Sequence, residues 1–508
     1  MKTNDFISNV NHFSKQEIKS FKDFLLSPFL NTSKSLVVVY RIIIKDKDIL
    51  LKLDTKELRT AIIRRTKYSE TTVIKMLSEL NDLYALFAKV QMFLKDKVYG
   101  EYLCCKYLLA EGYYKSLEKR LKTFEKILNN KDNLDEEIFL RLYEKDILEY
   151  DILSTKADNF SPQTKLEKQM EHTNNSSLDL MVFTISKITI NFANYVIQCN
   201  DSNEGKNKDY PVNMERLFEF INTSEYDSYN KFQKTTIQIF LKAYKLFSNP
   251  LNDDYYKDYK GYYEEIIHLY NLSFRRTHHS LLLNFCYMRQ RIQDIKKFYQ
   301  QEALDVLYEY IDNEYYKNNI TDYLHPAIFR NYVINCMTYD KKEDLEKFVT
   351  NQHDKLNPSE SGIMKTFGMA HYHFLNKEYK KSIENAKLII RPKVLYRYDI
   401  INLMIKNYFE MGDFVSVEKY LPNYKKFIDT DSYLTKNDKE RYRTLVTIMK
   451  EFIWRYHKSF KDENVFELEH LIEIIDSKVS FVMKNWLREK VTEIISDFYS
   501  KHPKKKKK

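Results

Sequence analysis

Glycine and proline are scarce, at seven and nine in 508 residues, roughly a quarter of their joint average usage. Glycine supplies most positions of positive φ, so tight β-hairpin turns, bulges and phosphate-cradling loops have little to be built from. A Walker loop needs two glycines five apart followed by lysine, and a dinucleotide loop needs three glycines. The nearest pair, Gly362 and Gly368, stands six apart and precedes Met369, so nucleotide enzymes of both classes are excluded. Cysteine is sparse as well. Cys104, Cys105, Cys199, Cys286 and Cys336 form no Cys-x-x-Cys pair and make an odd count, which reads as free thiols in a reducing compartment. No Gly-x-Ser-x-Gly elbow occurs, and nothing points to nucleophilic catalysis. The first thirty residues lack an apolar run, and Lys187 interrupts the stretch from Leu178 to Ile190. No signal peptide, membrane span or membrane partner is therefore expected, and the chain reads as soluble and cytoplasmic.

The net charge of +10 shrinks once it is located. Residues 501–508, Lys-His-Pro followed by five lysines, hold six of the 82 basic residues, leaving 76 against 72 acidic ones, a net +4. The body thus carries an ordinary mixed surface, and the tail reads as a disordered basic extension. Long stretches free of glycine and proline, rich in Leu, Lys, Glu and Ile, favour helix on propensity. The 41 tyrosines and 32 phenylalanines supply ample core. Tyr372, Tyr379, Tyr408 and Tyr420 fall at apolar helix positions, where large rings fill gaps between helices.

The first helix is well marked. Ser14 and Glu17 have capping-box spacing, Phe13 and Ile18 suit a hydrophobic staple, and Ser27-Pro28 ends it. Val37 to Ile44 is β-branched and would suit a strand, but its helical surroundings favour helix. A helix fits 55–65, and a longer one starts at Ser69 with apolar residues at i, i+3, i+4 and i+7 from Val73 to Phe87. Ser161-Pro162 and Asn174 to Ser177 read as loops, 200–211 as a linker, and Asn249-Pro250 as a turn. Helical pairs are expected over 281–311, 326–350, 362–390 and 399–428, with two more helices between Phe466 and Tyr499.

Two of those pairs repeat. Ala370-His371-Tyr372-His373-Phe374-Leu375 leads through Asn376-Lys377-Glu378 into Tyr379, Ser382 and Ala386. At an offset of 35 residues, Ile405 to Glu410 leads through Met411-Gly412-Asp413 into Phe414, Val417 and Leu421. A period near 34 residues with an aromatic just after a short polar turn marks a tetratricopeptide-type helix pair. Leu109 to Leu117 carries the same turn with Gly112 in register with Gly412. The expected fold is all-α: a small N-terminal helical domain (1–96), then a tetratricopeptide-like right-handed α-solenoid (97–460). C-terminal helices (461–500) and a Lys-rich tail (501–508) complete it.

Phe24-Leu25-Leu26-Ser27-Pro28-Phe29-Leu30-Asn31, followed by the Lys34/Leu36 helix, resembles the opening of a family of uncharacterised helical proteins found in Bacteroidota and their relatives. The resemblance continues through the 112–117 hairpin, Ser177-Leu178-Asp179-Leu180, the stretch from Leu281 to Tyr287 and the 370–421 pair, and so covers most of the chain. Leu30 stands where a second Phe is usual, a conservative change, and the Lys-rich tail lies outside the pattern. The resemblance implies an all-helical fold and no particular activity.

Other constellations have plain readings. Glu265-Ile266-Ile267-His268 and Glu467-Leu468-Glu469-His470 have the spacing of di-iron ligands, but chance supplies such a match, and they read as surface carboxylates beside ordinary histidines. Arg275-Arg276-Thr277-His278-His279, with Cys286 further on, lacks the remaining zinc ligands and reads as a helix start or loop holding solvated charge. Cys104 and Cys105 point about 100° apart on a helix, one to the core and one to its boundary. No metal or cofactor is expected.

Two functional readings follow. If the first helix of each pair lines a groove, its stripe comprises Phe367, His371 and Phe374 in one copy and Asn402, Lys406, Phe409 and Glu410 in the other. An amide and an ammonium beside aromatic rings could hold a peptide's carboxylate and its apolar side chain. The chain then reads as a non-enzymatic protein–protein interaction scaffold for a peptide or protein segment. The alternative is a nucleic-acid-binding regulator using a helix-turn-helix-like segment between Arg64 and Leu80, with the repeats as sensor. Against it, Glu70 repels phosphate and the turn lacks glycine, which favours a plain antiparallel helix pair.

Overall fold

The computed structural model describes residues 6, 9–10, 13–45, 55–130, 134–155, 161–201, 210–223, 228–290, 296–317, 322–389, 394–432, 434–461, 463–478 and 481–502. Most of the 200–211 linker and the 503–508 tail lie outside them. The protein is all-α, with 22 α-helices and no strand among the described residues, and packing runs mostly between consecutive helices, as in a helical array. The chain divides into two compact units, Met1–Arg275 and Arg276–Lys508.

The first unit opens with α1 (Lys15–Leu26), α2 (Lys34–Lys45), α3 (Thr55–Thr66) and α4 (Glu70–Lys95). The Ser14 hydroxyl accepts from the Glu17 N–H at 3.2 Å, and the Glu17 carboxylate accepts from the Ser14 N–H at 2.8 Å, the capping box its spacing predicts. The β-branched run is indeed helical, because Leu36, Val37, Val39, Tyr40 and Ile43 bury one stripe against Phe21, Phe24 and Phe87. The unit continues with α5 (Lys97–Ala110), α6 (Tyr114–Leu128), α7 (Glu137–Thr155), α8 (Pro162–Asp201), α9 (Met214–Thr223), α10 (Lys231–Ser248) and α11 (Asp253–Ile266). Helix α8 packs along α7 and α10.

One expectation fails at α8. Asn174 to Ser177 is not a loop but lies mid-helix, and Pro162 opens the helix instead of breaking it. Proline is suited to a helix's first turn. The Ser176 and Ser177 hydroxyls turn back onto the Thr173 carbonyl at 3.0 and 2.8 Å. Packing against α7 and α10 overrides their weak propensity. Among the described residues, 162–199 is also the stretch long and apolar enough to cross a membrane by length and composition alone, yet its buried face includes Ser176, Asp179, Ser186 and Thr189.

Helix α12 (Leu272–Arg289) crosses the boundary between the units. The second unit comprises α13 (Lys296–Asp312), α14 (Pro326–Tyr339), α15 (Lys342–Gln352), α16 (Pro358–Leu375), α17 (Tyr379–Leu388), α18 (Val394–Glu410) and α19 (Phe414–Thr430). It ends with α20 (Lys436–Lys461), α21 (Phe466–Ser477) and α22 (Lys484–Lys501). One apolar core runs from Leu304 to Met404 and a second from Tyr398 to Phe498.

The α5/α6, α16/α17 and α18/α19 turns are one structure. The N–H five residues on closes back to the helix: Tyr113 to Leu108 O at 2.8 Å, Glu378 to His373 O at 2.9 Å, Asp413 to Tyr408 O at 2.9 Å. This is the Schellman closure, which needs positive φ at the preceding residue. Gly112 (+71°) and Gly412 (+70°) supply it, but so does Lys377 (+61°). The closure recurs at Tyr315, Lys341 and Asn464 behind Glu314 (+57°), Asp340 (+54°) and Glu463 (+47°). Glycine scarcity therefore limits tight turns less than composition suggests.

Candidate functional site

The predicted groove stripe splits by burial. Phe367, His371 and Phe409 are core, at 1, 2 and 5 % exposure, so they form a floor and not a contact surface. The Phe367 ring packs, tilted, against Tyr396 at 5.9 Å and His371 at 4.4 Å. His371 Nδ1 lies 2.8 Å from the Phe367 carbonyl, one turn earlier. Burial pushes its imidazole down to about 4, leaving it neutral at pH 7. Phe409 packs on Phe414, Phe452 and Trp486.

The partly exposed members gather around Lys406. Its ammonium stands 5.9 Å from the Phe374 ring centre and 5.4 Å from that of Trp486. It has no hydrogen-bond acceptor or ion-pair partner among the described residues. Burial pushes Lys406 down to about 8, an effect the Glu410 charge opposes. Glu410, one turn on, is engaged elsewhere: Trp486 Nε1 donates to it at 3.3 Å, Lys490 Nζ stands at 3.2 Å and the Tyr379 hydroxyl donates at 3.5 Å. Four helices, α16, α17, α18 and α22, thus meet in a patch of three rings, two ammoniums and one carboxylate. Asn402 points elsewhere, its Oδ1 accepting from the buried Tyr424 hydroxyl at 2.8 Å. The sequence reading missed Tyr379, Trp486 and Lys490 as members of this patch. The one available signal was that Trp486 is one of only two tryptophans.

The other sequence candidates have local partners. His470 Nδ1 meets Glu473 at 3.0 Å, and Glu467 is held by Arg455 at 2.7 Å and by Lys458; Glu265 and His268 are exposed. The 275–279 cluster is a correction: it is neither a helix start nor solvated. It lies inside α12, with His278 and His279 buried. The arginines serve backbone carbonyls, Arg275 those of Ile267 and Tyr270, Arg276 those of Tyr315 and Lys317. Burial holds His278 far down, at about 3. Cys105 is buried and Cys104 half-buried, as expected, and all five thiols are free.

The first unit holds polar chemistry that local sequence pattern conceals. Asp146 and Glu149 on α7 face His172 on α8, whose Nδ1 lies 3.0 Å from Asp146 Oδ1 and 3.3 Å from Glu149 Oε2. Lys145 reaches the same carboxylates, 2.8 Å from Glu149 and 3.8 Å from Asp146. Two turns along α8, the buried Asp179 accepts from Gln233 Nε2 at 2.7 Å. Gln233 is also the capping-box residue of α10, accepting the Asn230 N–H at 2.8 Å. Desolvation pushes Asp179 up to about 7, and Asp135 up to about 6.

No family model matches the chain, and neither a curated protein nor a solved structure does.

Proposed function

We propose that the chain is a non-enzymatic protein–protein interaction scaffold, a tetratricopeptide-like right-handed α-solenoid that holds a peptide or protein segment in its helical-repeat groove. The observation that carries this reading is Lys406, an ammonium beside two rings and without an acceptor among the described residues. A peptide carboxylate would complete its hydrogen bonding, while Phe374 and Trp486 receive an adjacent apolar side chain. The recurrent Schellman-closed hairpin supports the repeat part of the reading. The test is affinity purification from the native cell with wild type and Lys406→Met in parallel, followed by mass spectrometry. A reproducible partner lost in the folded variant is the expected result. No reproducible partner, or equal recovery by both, overturns it.

The nucleic-acid reading gains one observation. Lys67, at φ +60°, makes the α3/α4 turn without glycine, and Arg64, Arg65, Lys67, Thr71, Lys75 and Ser78 are exposed around it. It requires salt-sensitive DNA binding that survives removal of residues 501–508. Binding that disappears with the tail removes this reading.

A further inference from the structure

We propose that Asp146, Glu149 and His172 form a three-ligand site for a divalent transition-metal ion, zinc being the best fit. Among the described residues this is the group of His, Cys, Asp and Glu side chains whose ligand atoms lie within 4.8 Å of one another. Zinc bonds of about 2.0–2.2 Å to nitrogen and oxygen place tetrahedral ligands about 3.3–3.6 Å apart. The observed 3.0 and 3.3 Å separations around His172 Nδ1 close onto such an ion with small side-chain adjustments. A calcium site would instead call for six to eight oxygens at longer range. One imidazole with two carboxylates suits a first-row transition ion.

The mounting is rigid. Asp146 and Glu149 stand three residues apart on one face of α7. His172 comes from α8, which packs along that helix. Asp146 is more than nine-tenths buried, and its Oδ1 is engaged by His172 and at longer range by Lys145. A fourth coordination position would fall to water.

Lys145 is the competitor. Its ammonium sits within the cluster, its side chain less exposed than those of Glu149 and His172, and the competing state is a metal-free network in which a protonated His172 and Lys145 neutralise the two carboxylates. The two states predict opposite results for the same substitutions. The experiment titrates zinc chloride into the chelator-stripped full chain by calorimetry, with cobalt(II) absorption as a second probe. Expected are one ion per chain and affinity lowered about tenfold or more by both His172→Ala and Glu149→Gln. Lys145→Met should instead tighten binding, a gain that a merely unfolded variant cannot give. Cobalt should show d–d bands without thiolate charge transfer. Absence of one-to-one binding, affinity unchanged by both ligand substitutions, or a thiolate band from the free cysteines overturns the site. Loss of the ion by the first unit and loss of a peptide by Lys406→Met are independent readouts, so each proposal fails by itself.

Discussion

Replacing Lys406 with methionine should stabilise the protein, and the gain should fade as pH rises. Methionine keeps the unbranched apolar stem and offers sulfur to the Phe374 and Trp486 rings. Lys406 is held down at about 8 against an ordinary 10.5. At 1.36 kcal/mol for each tenfold change in proton affinity, the charged form is disfavoured by about 3 kcal/mol. Two cation–π contacts near the 6 Å limit return about 1 kcal/mol, and solvent reaching part of the side chain screens more, leaving about 1–2 kcal/mol. A lysine whose folded value is depressed binds fewer protons in the native than in the unfolded state between pH 8 and 10.5. Wild-type stability therefore gains from this group as pH rises through that window, and the penalty is complete below it. Denaturant unfolding of both proteins at pH 7 and pH 10, followed by tryptophan fluorescence, measures the difference; background titrations cancel in the subtraction. Trp454 and Trp486 both lie in the second unit and report on it directly. A variant less stable at pH 7, or an advantage equal at both pH values, would refute the burial argument.

Two further outcomes test the packing of the core. A Cβ at Gly368 would lie 2.3 Å from Val349 Cγ2 and 3.0 Å from Cγ1, so Gly368→Ala should destabilise by about 1–3 kcal/mol. Adding Val349→Ala should recover part of that loss, and a single variant melting with wild type would contradict the close approach of α15 and α16. Asp179, pushed up to about 7 by desolvation, binds its extra proton in the folded state between roughly pH 4 and pH 7, so its destabilising effect grows through that window. Asp179→Asn keeps the acceptor for Gln233 and should raise the thermal midpoint at pH 8, with the advantage closing toward pH 4; an advantage independent of pH would remove ionisation as its cause.

Much of the second unit was legible because its code is local. The offset of 35 residues located the α16/α17 and α18/α19 pairs, and the polar tripeptides at 376–378 and 411–413 became the same hydrogen-bonded turn. Other turns escaped notice because Glu314, Asp340 and Glu463 adopt positive φ without glycine. The left-handed conformation disfavours such residues by only about 1–2 kcal/mol, which packing of the next helix offsets. At His278 helical periodicity, not local charge, decides burial. His278 sits on one stripe with Phe274, Leu281, Leu282 and Phe285, all buried, and that spacing was visible. The Lys406 patch was not, since Trp486 arrives from 80 residues downstream and no local pattern connects the two. The same holds for His172, placed against Asp146 and Glu149 by the pairing of α7 and α8.

Both units bury ionisable groups, His278, His279, Arg289, His371 and Asp431 in the second and Glu101, Glu136, Asp146 and Asp179 in the first. The cores from Leu304 to Met404 and from Tyr398 to Phe498 are aliphatic and aromatic. The packing of α7, α8 and α10 encloses Glu136, Asp146, Asp179 and Gln233. A buried carboxylate is disfavoured by several kcal/mol unless paired, and Asp146 is paired, with His172 at 3.0 Å and Lys145 at 3.8 Å. A bound divalent cation would take the place of those partners and neutralise the Asp146 and Glu149 carboxylates where they stand. Lys406 poses the complementary case of an ammonium for which an anion would do the same. Zinc should then stabilise the wild type and leave His172→Ala unchanged. Stabilisation that grows with zinc concentration and requires both His172 and Glu149 is the pattern the metal site demands.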